Sequence, residues 1–287
     1  MGLADEVRAL AARVAGSAGE VRIREDRVGP YADSLGTPAA YPAPFVTLDA
    51  DDEARAALHL TLDAINFGSG WFPTLRKRNG KSGTYTIWTG VRDTFEAERA
   101  WTAADLRAMT PRRIARAAGQ DPGHELMALY AEHLRELGER IGEGSFLDLA
   151  RRPRLAEHLA GWPGFADPFR KRAQITAYDM VCAGLAEPGH EGDLTIFADN
   201  LVPHVLRLDG VLEYDPALVA RIEAGELLAP GQPAEVEIRG CAVHAVELML
   251  AARPRLTAPG VDGLLWHRGQ LPRYKAVPRH RARTTAY

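Results

Sequence analysis

Cysteine is nearly absent from this 287-residue chain, which carries Cys182 and Cys241 and no others. Two thiols cannot build a disulfide scaffold, and their spacing matches no zinc-ligand pattern, so the fold is expected to rest on an apolar core in a reducing compartment. Long apolar runs are missing as well. No segment approaches the ~20 residues of a membrane span, and MGLADEVRALAARV at the start is amphipathic where a secretory signal would be apolar. The expected location is cytoplasmic. A basic excess is also lacking, since 35 Lys and Arg against 38 Asp and Glu leave a net charge of -3. That balance argues against indiscriminate binding to nucleic acid or membranes. Only residues 267–287 depart from it, with six Lys/Arg and no Asp/Glu, which leaves room for a local anion-binding surface. No repeat or low-complexity tract appears.

What the chain does have is helical periodicity. Leu3, Val7, Leu10 and Val14 form one stripe; Leu126, Leu129, Tyr130, His133, Leu134, Leu137 and Ile141 form a stronger one. Thr110-Pro111 and Asp215-Pro216 place a capping side chain before a proline at the first helical position, and Ser145 with Asp148 has the spacing of a capping box. Strand patterns are confined to VRI at 21–23 and TYTIW at 84–88. The fold class expected is mainly α, with at most a small β element, in a single domain over 1–287 whose first 50 residues pack as an extension on the helical core. Residues 67–85 and 29–45 are expected to be loops, the first rich in Gly, Lys and Arg and the second in Pro.

Four clusters carry potential chemistry. Asp199 in FADNLVPH lies between two apolar runs, which suggests a largely buried carboxylate; such a group costs several kcal/mol unless paired or used. Pro203 four residues on places Asp199 at a helix start. Two readings stay open here: a structural cap, or a carboxylate that stabilises an oxocarbenium-like sugar and orients water. Arg170, Lys171 and Arg172 open another helix, against the dipole preference, and that suits either a bound anion or an exposed basic turn. In the helix at 233–250, Glu237, Cys241 and His244 share one face, with no second pair to complete a metal site; Glu237 and Arg239 fit a salt-bridged scaffold around a polar pocket. Finally, LLWHRGQ offers Trp266 for stacking and His267 for titration.

Taken together, INFGSGWFP, KRAQITAYD, FADNLVPH, EVEIRG and the LLW…HRAR…Y ending resemble the queuosine salvage protein family, in order from about residue 60 to residue 287. The resemblance implies a helical fold related to helix-hairpin-helix DNA glycosylases. It also implies hydrolysis of queuosine 5'-monophosphate to queuine and ribose 5-phosphate, with Asp199 as the catalytic carboxylate and Lys171 on the nucleotide phosphate. Phe67, Trp71 and Trp266 are then candidates to stack on the base, Asn66, Glu237 and His267 to meet its polar edge, and His204 and Arg239 to complete the binding site. The chain departs from the family pattern at Asn200 and Leu201 after the aspartate, at His267 in place of an acid, and at the inserted Gly68, Ser69 and Gly70. A related 7-deazapurine nucleotide is therefore an alternative substrate. A DNA or RNA base glycosylase and a non-catalytic modified-nucleotide-binding protein are the other readings. The chemistry calls for no metal or organic cofactor, and the expected partner is a small nucleotide, with no membrane and no stable nucleic-acid complex.

Overall fold

The computed structural model describes residues 2–36, 46–188 and 193–287. Its fifteen α-helices are α1 (Leu3–Ser17), α2 (Glu25–Ser34), α3 (Asp52–Ala64), α4 (Gly83–Ala97), α5 (Ala103–Arg107), α6 (Pro111–Ala118), α7 (Glu125–Ile141), α8 (Phe146–Ala150), α9 (Leu155–Ala160), α10 (Lys171–Cys182), α11 (Val202–Leu208), α12 (Pro216–Glu223), α13 (Pro233–Ala252), α14 (Ala258–Gly269) and α15 (Pro272–Lys275). Two three-residue strands, β1 (Val21–Ile23) and β2 (Leu212–Tyr214), pair antiparallel with Val21 opposite Tyr214. The fold is mainly α, as the periodicity implies. None of the described helices is long and apolar enough to cross a membrane.

Apolar side chains gather into two main clusters. In the first, α3, α4, α6 and α7 bury Leu58, Leu60, Leu62, Ile87, Val91, Ile114, Leu126, Tyr130 and Leu134. The second joins α1 and α2 to the β ribbon and α11–α14 through Val7, Val28, Val205, Leu218, Ile238, Val246 and Leu265. The N-terminal residues are thus built into this second cluster: α1 lies along α13, and β1 supplies half of the ribbon.

Capping side chains set several boundaries. Thr110, Asp215 and Ser145 accept from the backbone N–H of Arg113, Ala217 and Asp148, respectively. Around Ser145, Glu53 of α3 supplies further acceptors, receiving N–H bonds from Phe146 and Leu147 and the Ser145 hydroxyl.

TYTIW is helical, contrary to the strand expected from its alternation. Ser82 caps the turn by accepting from Tyr85 N–H, and Thr86 and Thr89 return their hydroxyls to the carbonyls of Ser82 and Tyr85, so the β-branched residues are satisfied inside α4. The expected loop at 67–85 is shortened accordingly, with a 3-10 turn at Phe72–Thr74 and α4 beginning at Gly83. Of the expected connector at 29–45, residues up to Ser34 belong to α2, and residues 37–45 lie outside the described part.

Candidate active site

A cavity of about 910 Å³ opens where the two apolar clusters meet, within the size range of small-molecule sites. Its floor holds Asn66, Phe67, Lys171 and Asp199. Asp199 stands just before α11, with Pro203 in the first turn. Its Oδ1 accepts the N–H groups of Leu201 at 2.6 Å and Val202 at 3.1 Å, closing the turn that starts the helix. The carboxylate is half-buried, less than its flanking apolar runs suggest, because Oδ2 takes no part in that turn and the side chain borders the cavity. One side chain therefore both closes the turn through Oδ1 and borders the cavity.

Lys171 is buried, 4% exposed, and its Nζ donates to the carbonyl of Asn66 at 2.9 Å. Burial lowers its ammonium to about 8, and the charge of Asp199 is the largest influence opposing that fall. Its two basic neighbours do not accompany it into the cavity. Arg172 is 1% exposed, donates to the carbonyls of Ala64 and Gly164, and packs its guanidinium over Phe67 and Phe165. Arg170 takes a left-handed conformation and reaches the Ala160 carbonyl. Nor is the start of α10 a vacant anion site: the carboxylate of Asp167 accepts from Lys171 N–H at 2.8 Å, which answers the dipole from within the protein. Neither the exposed basic turn nor the three-cation anion site foreseen for 170–172 is formed.

The remaining candidates separate by position. Trp266 borders the cavity, whereas His267, one residue further along α14, is exposed and turned away. Trp71 is buried beside the floor, donating from Nε1 to Glu125 under the guanidinium of Arg283. His204 hydrogen-bonds through Nε2 with the Tyr274 carbonyl, inside the second apolar cluster. Arg239 is a scaffold residue: 2% exposed, it pairs with Asp167 at 2.7 Å and Glu235 at 3.3 Å, donates to the Ala198 carbonyl, and lies between the rings of Phe169 and Tyr287. It thereby fixes the backbone immediately before Asp199. Glu237 has no part in that network. Its Oε2 accepts the N–H groups of Gly19, Glu20 and Val21, so it fastens the N-terminal segment to α13. Cys241, on the same face, meets the Val21 carbonyl, and the described residues contain no cluster able to hold a metal ion.

The wall opposite α10 comes from two segments. In one, the turn before α4 contributes Asn79 and Lys81, and the first turn of α4 contributes Tyr85; in the other, the C-terminal stretch contributes Lys275, Arg279, Arg281 and Tyr287. The inserted glycines explain how these segments approach. Gly68 donates its N–H to the Tyr287 carbonyl, and a Cβ on Gly70 would lie 2.3 Å from the Ala282 carbonyl oxygen, so only glycine lets the tail cross there. Of the six basic residues in 267–287, Arg268 and Arg273 pair with Asp209 and Arg283 with Glu125, leaving Lys275, Arg279 and Arg281 on the cavity. Arg279 makes no hydrogen bond or ion pair among the described residues; burial lowers its guanidinium, and Asp199 is the largest influence raising it. The lining thus holds five cationic side chains, Lys81, Lys171, Lys275, Arg279 and Arg281, and one carboxylate, Asp199.

Three further acids stand behind the floor that the sequence reading did not single out. Asp63 and Asp179 are buried on α3 and α10, which pack together, and Asp262 accepts from Phe197 N–H at 2.9 Å. Each interrupts an apolar stretch, as in LTLDAI, ITAYDMV and PGVDGLL, the same signal that marks Asp199. Burial raises Asp63 to about 7 and holds Asp179 and Asp262 well above the usual carboxylate range. A second cavity, about 740 Å³ between α1, α8 and α9, contains none of the candidate residues.

Comparison with known proteins places these residues in a family. The sequence model for "Queuosine salvage protein" matches residues 166–287, the stretch that supplies Lys171, Asp199, Trp266 and Arg279. A protein of Sphaerobacter thermophilus named queuosine 5'-phosphate N-glycosylase/hydrolase is 34% identical over 82% of this chain and 82% of its own length. Proteins of the same name from Dictyostelium discoideum and Mus musculus are 37% and 32% identical over 42% and 52% of this chain, covering 40% and 53% of theirs. Likeness of that extent, running through the segments that meet at the cavity, means that the chain belongs to the queuosine salvage protein family.

Proposed function

We propose that this chain hydrolyses the N-glycosidic bond of queuosine 5'-monophosphate, releasing queuine and ribose 5-phosphate. The observation that carries this reading is the cavity's lining, which combines the Asp199 carboxylate, the cations Lys81, Lys171, Lys275, Arg279 and Arg281, and the aromatic rings of Phe67, Phe72, Tyr85 and Trp266. An anionic nucleotide with a flat base matches that lining.

A 7-deazapurine lacks the N7 atom whose protonation assists departure of ordinary purines, so the rate must come from stabilising the sugar. As the C1'–N bond breaks, its electron pair leaves with the base and positive charge develops on C1' and the ring oxygen. Asp199 Oδ2, outside the turn that engages Oδ1, stabilises that charge and positions the water whose oxygen bonds to C1'. The water gives one proton overall to the departing base, and the reaction balances without a cofactor. Phe67 and Trp266 stack on the base, Asn66 meets its edge, and Lys171 supports Asp199 from below. The family resemblance puts Lys171 on the phosphate; its burial and its bond to Asn66 favour a floor position, with Arg279 and Lys275 nearer the phosphate.

The test is incubation with queuosine 5'-monophosphate, queuosine, a guanosine 5'-monophosphate control and oligonucleotides carrying uracil or damaged bases, with free base followed by chromatography. Release of queuine is expected from the monophosphate and, much less efficiently, from queuosine, with no base released from the guanosine control or the oligonucleotides. Base release from oligonucleotides alone would support a nucleic-acid glycosylase, and tight binding without release a sequestering protein.

A further inference from the structure

After α15 the chain runs along the cavity as an irregular tail, and few contacts fix its first part. Ala276 N–H closes the last turn of α15 on the Pro272 carbonyl, but residues 277–279 make no hydrogen bond among the described residues. The position of Arg279 is therefore set by what holds its neighbours. Next to it stands His280, 2% exposed, whose carbonyl accepts from Asn200 Nδ2 at 3.1 Å. A carbonyl only accepts, so the nitrogen of the Asn200 amide must face it. Asn200 is itself 3% exposed, and it follows Asp199 directly in the chain. Beyond His280 the tail is held by other means: the Arg281 carbonyl accepts from Leu228 N–H at 2.8 Å, its guanidinium donates to the Gly225 carbonyl at 3.3 Å, and Gly68 N–H reaches the Tyr287 carbonyl. Asn200 thus supplies the hydrogen bond closest in sequence to Arg279, and supplies it from beside the carboxylate. The residue on the other side of Asp199 is tied to the same tail. Ala198 gives its carbonyl to Arg239, whose guanidinium lies 4.5 Å from the centre of the Tyr287 ring.

We propose that Asn200 is a positioning residue that sets the Arg279 guanidinium in register with Asp199, and that this tie makes the site prefer a nucleoside 5'-monophosphate to the nucleoside. A cation on the phosphate and a carboxylate at C1' act on one molecule only when their separation matches it. One amide between residues 200 and 280 fixes that separation. Without it, the segment from Ala276 to the Arg281 anchor has no hydrogen bond of its own, and ordering it around a bound phosphate would cost entropy on each binding event. Asn200 also borders the cavity, so a direct contact with the substrate is the competing reading. The two differ in their consequences: a contact with the base or sugar acts on nucleotide and nucleoside alike, whereas a tie that works through Arg279 acts on the phosphate. A bond with a merely structural role would change stability and leave that preference where it is.

This inference rests on the proposed function, but its main test needs no hydrolysis. Ribose 5-phosphate and ribose are the probes, and their binding is measured by calorimetry on the parent, Asn200→Leu, Arg279→Gln and the double variant. Asn200→Leu is expected to weaken ribose 5-phosphate about 3- to 30-fold, a share of the roughly 10- to 150-fold that a whole charge-assisted contact is worth. In the double variant it should add little to Arg279→Gln, because both substitutions act through one guanidinium. An affinity unchanged in Asn200→Leu, losses that multiply in the double variant, or a parent that binds ribose 5-phosphate no more tightly than ribose overturns the proposal. Should Asn200→Leu fail to fold because the His280 carbonyl is left without a donor, Asn200→Ser, which leaves room for a water on that carbonyl, is measured in its place with the same expectation. With substrates, the ratio of kcat/KM for queuosine 5'-monophosphate to that for queuosine should fall by a similar factor in Asn200→Leu, chiefly through KM for the monophosphate. Linked losses of ribose 5-phosphate affinity in a protein that hydrolyses nothing remove the proposed function and leave the positioning role standing; hydrolysis with that ratio unmoved in Asn200→Leu does the reverse.

Discussion

Asp199→Asn separates the capping contact of the aspartate from the chemical role proposed for it. The turn before α11 uses only Oδ1, which accepts from Leu201 and Val202. Asparagine keeps an oxygen there, and Asn and Asp are comparable at helix starts, so the folding free energy should change by no more than about 0.5 kcal/mol. At Oδ2 the substitution replaces anionic oxygen with an amide that cannot stabilise a cationic sugar. Loss of one preorganised electrostatic group costs about 10²–10³ in kcat, or roughly 2.7–4 kcal/mol of transition-state stabilisation. Ground-state binding should respond in the opposite sense. With five cations and one carboxylate on the cavity, removing the carboxylate raises the formal positive excess from four to five, so an anionic nucleotide should bind at least as tightly. The assay is single-turnover release of queuine at pH 7, below the Lys171 titration, alongside calorimetric binding of the monophosphate and a thermal melt. A rate within a factor of a few of the parent, with the fold intact, would refute the mechanism and leave Asp199 as a cap alone. A large loss of stability would show instead that its structural role had been underestimated.

Arg279, which makes no hydrogen bond or ion pair among the described residues, should contribute a charge-assisted contact of roughly 1.5–3 kcal/mol to the phosphate. Arg279→Gln should therefore raise KM for the monophosphate about 10- to 150-fold while hardly changing cleavage of queuosine; equal effects on both substrates would move the phosphate site elsewhere. Arg239→Met leaves Asp167 and Glu235 buried without their cation and frees the Ala198 carbonyl, so it should cost about 3–5 kcal/mol. The melting temperature should drop by roughly 6–20 °C, and an unchanged melt would contradict the scaffold role. Glu237→Gln weakens the hold on three backbone N–H groups at residues 19–21 and should lower stability by about 1 kcal/mol, seen in urea unfolding, with KM unchanged. A raised KM with unchanged stability would bring Glu237 back to the substrate.

Much of this arrangement was legible in the sequence, and the gaps have physical causes. Caps at Thr110, Asp215 and Ser145 are local chemistry, each side chain meeting an N–H two or three residues on, and so were readable without tertiary information. The same holds for Asp199 ahead of Pro203. TYTIW misled because threonine has two uses: on a strand it fills one face, and in α4 it returns its hydroxyl to a carbonyl four residues back. Glu237 and Arg239 are two residues apart on α13, yet one binds the N-terminus more than 200 residues away and the other Asp167; no spacing rule distinguishes them. The run 170–172 was opaque for a related reason. Consecutive positions on a helix point in different directions, so three cations in a row have three different environments. The acids behind the floor were in view all along, each interrupting an apolar stretch, but what they meet there depends on α3, α10 and α14 converging.

That convergence bears on why, of the four aspartates, the proposed mechanism uses Asp199. Asp63, Asp179 and Asp262 are closed in, and burial raises all three above the usual carboxylate range. Asp199 differs in two respects, the pair of backbone N–H groups on Oδ1 and an edge open to the cavity. On the proposed function, a nucleotide entering that cavity brings phosphate to the cations and sugar to the carboxylate, and it excludes water that would weaken both interactions. The same geometry that attracts an anion therefore strengthens the field of Asp199 at the moment C1' becomes positive. Binding of the phosphate and stabilisation of the sugar are then coupled through the exclusion of water, which is how remote binding energy can raise kcat and not merely lower KM.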